Sequence, residues 1–243
     1  TLSIWDKDKV LVQTIACIQK FKPDIIINRF NSDSSGRTHG HHTASAMISE
    51  WAFEQLHADQ TAWHPKRLFH NTSWYFYGTR ENFEKANKQG MLAIDMSVFD
   101  PLSGQTNSEI AALSRSQHKS QGFGSAAALG KRMEYLKLVK GKELTRNDPF
   151  DGIDTQWTRV KGGAPIGKAI EKIIDDFDFS APYKSVVPLL EVKAMITELK
   201  DDHWKSIKIE EVDSLILNCL GMDLQFNANM PYGVLGEDLQ IKV

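Results

Sequence analysis

His39, His41 and His42 fall within four residues of one another in the polar stretch Ser32 to Ser45 (SDSSGRTHGHHTAS), and the whole chain has eight histidines. Imidazole is a common zinc ligand, and a catalytic zinc takes three protein ligands and keeps one position open for water. The spacing of three between His39 and His42 lets a loop running into a helix aim both rings at one centre. On residue type alone the stretch reads either as a solvated or helix-capping segment or as a metal or catalytic site. Arg29 lies just before it and Arg37 within it, ahead of the histidines. Their planar donor forks suit a phosphate, a carboxylate or a sugar hydroxyl, although Arg37 reads equally well as a solvated surface group. Trp74, Tyr75, Phe76 and Tyr77 could stack on a sugar ring. At strand spacing, two of these four are expected in the core.

The elements that must hold these groups can be read from hydrophobic spacing. Val10, Leu11, Ile15, Ile18 and Phe21 share one helical face, Lys22-Pro23-Asp24 breaks it, and Ile25-Ile26-Ile27 follows. This order predicts helix, turn and buried strand, and a short isoleucine run between helices predicts a doubly wound, Rossmann-type α/β fold with a parallel sheet. The histidine stretch then lies at the carboxyl end of a strand, where open α/β sheets bind ligands, with Ala44 to Leu56 as the next helix. Arg67-Leu-Phe and Ser73-Trp-Tyr-Phe-Tyr have strand composition, Ile94 to Ser97 looks like a strand end, and Asn107 to His118 reads as a helix. Helical spacing recurs over Ile166–Phe177, Val186–Leu199 and Ile209–Leu220. The chain therefore divides into 1–140, an α/β segment; 141–163, a polar connecting segment; and 164–243, a mainly helical extension. The carboxylate runs Asp175-Asp176 and Asp201-Asp202-His203 are expected on solvated helix faces.

Bulk composition narrows the partners. The 29 basic and 31 acidic residues leave a net charge of −2, too little to grip a phosphate backbone, so nucleic acid is not expected. No apolar run approaches the roughly 18 residues that span a bilayer. Cys17 and Cys219 lie in apolar runs far apart, match no metal or disulfide spacing, and are expected as buried thiols. Composition assigns no cellular compartment.

The order apolar strand, polar loop with Arg37, His39-x-x-His42, then helix resembles the second motif of the PIG-L/LmbE zinc-dependent N-deacetylases. A second stretch, Ser114-Arg115-Ser116-Gln117-His118-Lys119-Ser120-Gln121, is similar to that family's later motif of a helix carrying histidine with serine and glutamine beyond it. The likeness covers roughly Val10 to Gly130, and more loosely Phe150-Asp151-Gly152-Ile153-Asp154 and the helical tail. The resemblance implies an LmbE-like layered fold, a Zn2+ cofactor and hydrolysis of an N-acetyl group from an amino sugar or related amide. It implies His42 as zinc ligand and His39 as oxyanion stabiliser or proton donor. By the same likeness His118 lines the pocket, where it could hydrogen-bond substrate or a metal-site group, with Gln121 on the substrate; Arg29 and Arg37 join the substrate-binding candidates through their donor forks.

The family's His-Pro-Asp-Asp-Glu motif, which supplies two more ligands and the general base, does not occur in the chain. The expectation is an internal piece of a longer protein whose remaining site lies upstream of Thr1. Alone it would hold metal weakly and turn nothing over, and its exposed sheet edge would favour the missing N-terminal portion or a second copy as partner. Gly40-His41 also replaces the Pro-Asp that the family often has between its two histidines, which leaves open what orients His39. Two other readings remain: a non-catalytic carbohydrate-binding or scaffold protein of deacetylase-like fold, and a metal-binding module chelating through His39, His41 and His42 together.

Overall fold

The computed structural model describes residues 2–33, 38–59, 61–121, 124 and 126–243. Two units follow one another along the chain, Thr1–Ile153 and Asp154–Val243.

In the first unit, α1 (Lys7–Phe21) is capped by Asp6, whose carboxylate accepts from the Lys9 N–H at 3.1 Å. It ends at Lys22 in the left-handed region, φ 54°, and Pro23 then forbids another helical turn. The strand β1 (Ile25–Asn28), the helix α2 (Gly40–Ala58) and the strand β2 (Arg67–Thr72) form a β-α-β unit with β1 and β2 parallel. Next come α3 (Arg80–Lys85) and β3 (Met91–Asp95). The two-residue strands β4 (Phe99–Asp100) and β5 (Gln105–Thr106) lead into α4 (Asn107–Ser116). Thr106 and Glu109 form a reciprocal capping box at the start of α4. The last strand, β6 (Met133–Gly141), runs antiparallel to both β2 and β3, so the sheet order is β1-β2-β6-β3.

Alternation along β1 fills both sides of the sheet. Ile26 packs with Leu11, Ile15 and Ile18 of α1 and with Ala52 and Leu56 of α2, whereas Ile25 joins Phe69, Leu92 and Leu136. At ~1.5–3 kcal/mol per fully buried large side chain, these two clusters hold the β-α-β unit together. Beyond β6 the chain is tied back by Arg67, which is 3% exposed. Its guanidinium donates to the carbonyls of Lys142 (2.8 Å), Pro149 (3.2 Å) and Asp151 (2.6 Å). The Asp151 carboxylate accepts from the Thr145 N–H and hydroxyl and from Arg146 Nε at 2.7–2.8 Å. These donors, the Thr145 backbone N–H foremost, hold its carboxyl well below the usual range.

The second unit contains α5 (Ala164–Asp175), α6 (Val186–Thr197) and α7 (Asp202–Leu220). They surround Val160, Ile166, Leu189, Val192, Ile196, Leu199, Val212 and Ile216. Asp201 caps α7 by accepting from the N–H groups of His203 and Trp204, so this carboxylate serves the helix end. The two-residue strands β7 (Asn227–Ala228) and β8 (Ile241–Lys242) pair near the end of the chain.

The α/β class stands, but several expectations are corrected. The sheet is mixed instead of parallel, because β6 enters between β2 and β3 in the reverse direction. Trp74–Tyr77 is a 3-10 turn closed by Gly78 at φ 83°, so its aromatics do not alternate as a strand: Trp74 and Tyr75 are exposed, Phe76 and Tyr77 half-buried. Cys17 is exposed, since the buried stripe of α1 runs through Leu11, Ile15 and Ile18 and Cys17 sits off it. Residues 142–153 pack against β2 through Arg67, and Trp157 and Val160 pack in the helical unit, so 141–163 is structured on both sides of the division. Among the described residues no helix is long and apolar enough to cross a membrane.

Candidate active site

The backbone leaves β1 at Asn28, and Arg29 and Phe30 follow directly. The chain re-enters regular structure at His39, the N-cap of α2, whose side chain caps nothing. His42 therefore sits in the first turn of a 19-residue helix, its N–H donating to the His39 carbonyl at 2.9 Å. Its ring stacks on Phe30, with centroids 3.9 Å apart and planes 12° from parallel. Its Nδ1 is 2.9 Å from the Thr38 hydroxyl. With Nδ1–H donating to Thr38, Nε2 carries the lone pair that a metal requires; with the hydroxyl donating, Nε2–H is a donor. Burial, and then the neighbouring His41 and His39, hold the His42 pKa below its ordinary value. The ring is thus neutral at pH 7, the form that ligates metal.

His42 and His39 line a hollow of about 390 Å³ together with Arg29, Thr38 and the aromatic turn Ser73 to Phe76. Arg29 is held there by Nη1, which donates to both the carbonyl and the side-chain oxygen of Asn71. His41 packs with the other two rings, centroids 5.6 Å from His39 and 4.2 Å from His42, but it is exposed and does not line the hollow. Beside the hollow, His70 is 3% exposed, its ring stands nearly perpendicular to Phe76 with centroids 4.6 Å apart, and its Nε2 has no hydrogen-bond partner among the described residues. Burial, reinforced by Arg29 and Lys137, lowers its pKa to about 4.

The structure thus brings together three of the sequence-derived candidates: His39, His42 and Arg29. His118 is exposed in the turn after α4 and does not line this hollow. Arg37 and the side chain of Gln121 lie outside the described residues. Sequence reasoning missed Thr38 and Phe30. A hydroxyl four residues before a histidine at a helix start was a usable signal for Thr38; the Phe30 stack had none.

No three His, Cys, Asp or Glu side chains among the described residues are placed to hold a metal ion. His42, with its Nδ1 engaged, fits one imidazole ligand of a zinc site, and the described residues do not complete the set.

The chain matches no protein-family model, no curated protein and no solved structure.

Proposed function

We propose that this chain forms one side of the active site of a zinc-dependent hydrolase that removes an N-acyl group, N-acetyl foremost, from an amino sugar or related amide. On this reading the first unit is part of an LmbE-like layered domain. The observation that carries it is the Thr38–His42 contact at 2.9 Å on the wall of a hollow shared with His39. A metal-ligating histidine normally donates its other ring N–H to an acceptor, which fixes tautomer and orientation, and an Nδ1–H donated to the Thr38 hydroxyl would be such a bond. His39 stands on the same wall, where it can donate to the amide oxygen as it gains charge or to the departing nitrogen. Arg29 can donate to sugar hydroxyls, and exposed Trp74 offers a ring face. Zinc, when bound, would supply a Lewis acid and an acidified water, and its other ligands come from outside the described residues. His41 does not line the hollow, and no three possible ligands among the described residues are grouped to hold a metal ion, which speaks against a three-histidine chelate.

Two measurements test this. Zinc affinity of the chain is followed by indicator competition for His39→Ala, His41→Ala and His42→Ala. Amine release from N-acetylglucosamine is followed for the full gene product carrying the same substitutions. His42→Ala should weaken zinc about tenfold or more. His39→Ala should leave zinc nearly unchanged and slow hydrolysis by roughly 10²–10⁴. His41→Ala should do neither. Equal zinc loss at all three positions with no amine release would establish the chelating module instead. Sugar binding without amine release would establish the carbohydrate-binding protein.

A further inference from the structure

A second hollow, of about 560 Å³, neighbours the first, and Arg29, Ser73 and Trp74 line both. Its charged lining is Arg29, Arg80, Lys131 and Arg132 against Glu84 and Glu134: four cations facing two carboxylates in a chain whose net charge is −2. Glu134 is already engaged, accepting from Asn71 Nδ2 at 3.0 Å and lying 3.5 Å from Arg132 Nε. The Arg80 guanidinium lies 5.7 Å from the centre of the Trp74 ring. Arg29 commits Nη1 to Asn71, and among the described residues the N–H groups of Nε and Nη2 are not engaged, so they can meet an oxyanion.

From this we infer that the second hollow is an anion subsite and that the substrate is an acylamino sugar bearing a phosphate or carboxylate group. This rests on the proposed hydrolase reading and adds the substrate class to it. The acyl nitrogen faces His39 and His42, the sugar ring lies over Trp74, and the anion is taken up between Arg29, Arg80 and Arg132. A guanidinium stacked near an indole holds its fork without losing its charge, which makes Arg80 better suited than a mobile lysine to select a planar or tetrahedral oxyanion.

Isothermal titration of the chain with N-acetylglucosamine, its 1-phosphate and 6-phosphate, N-acetylmuramic acid and inorganic phosphate tests the assignment. At least one anionic sugar should bind about tenfold or more tighter than N-acetylglucosamine, as expected for one or two charge-assisted hydrogen bonds. The Arg80→Gln/Arg132→Gln double variant should abolish that preference, and added salt should weaken it. Preference for a sugar phosphate assigns the anion as phosphate, and preference for N-acetylmuramic acid assigns it as carboxylate. Equal affinity for neutral and anionic sugars would overturn the subsite, as would a preference that survives the double variant. Inorganic phosphate binding as tightly as the sugar phosphates would also overturn it. Failure of the hydrolase reading is distinguishable: the anion preference would persist, also in His42→Ala, while the full gene product released no amine.

Discussion

Charging His70 is costly in the folded chain, because the ring is 3% exposed and stands near Arg29 and Lys137. The unfolded chain takes up this proton near pH 6.5, whereas the folded chain refuses it until about pH 4. Protons therefore favour the unfolded state in this window, and stability is lost as pH falls from about 6.5 to about 4, by up to ~3 kcal/mol. His70→Leu should remove this dependence, so the difference in urea stability between variant and parent should grow in the variant's favour from pH 7.5 to pH 4.5. A constant difference would show that His70 is not the titrating group. That His39, His42 and Arg29 share one hollow was legible in the sequence, because they sit where a strand end leads into the next helix. His70 was not, because its character comes from burial between β1 and β6, whose residues opposite it, Asn28 and Lys137, lie far away in the chain.

The longer helices were readable from their apolar spacing, and so were β1 and β2 from composition, but the six-residue α3 and the central strand β6 were not. Glu134, Lys137 and Lys140 interrupt its apolar pattern, and only Leu136 is fully buried. Such a strand is specified by its two neighbours more than by its own residues. Its end is set by a close approach: Gly141 has φ 100°, and a Cβ there would collide with the Lys66 carbonyl oxygen. Gly141→Ala should therefore destabilise the first unit by roughly 2 kcal/mol or more, through both backbone strain and the clash. Gly152→Ala, also at positive φ (71°) but with nothing within 4 Å of the added carbon, should cost only about 1 kcal/mol. Chemical denaturation of the two variants separates the effects, and equal losses would mean that the clash is relieved by movement of the chain at Lys66.

At the scale of the molecule, each unit has apolar clustering of its own, and the buried residues of the helical cluster all lie within 160–216. A fragment spanning 154–243 should then be helical by circular dichroism and unfold cooperatively. In it, Ile196→Ala, at a position with 0% exposure, should cost about 2–5 kcal/mol. A fragment without cooperative unfolding would show that this cluster is not self-sufficient. The order of the sheet matters in another way during synthesis. β6 separates β2 from β3 in space yet is the last of the four strands to leave the ribosome, 69 residues after β2 ends (141 minus 72). At about 5–20 residues per second, β2 waits several seconds with one edge unpaired. During that interval Leu68 and Phe69, which have 0% exposure in the finished sheet, are open to a chaperone or to another nascent chain, so translation speed between these two strands influences how much of the protein reaches its native state.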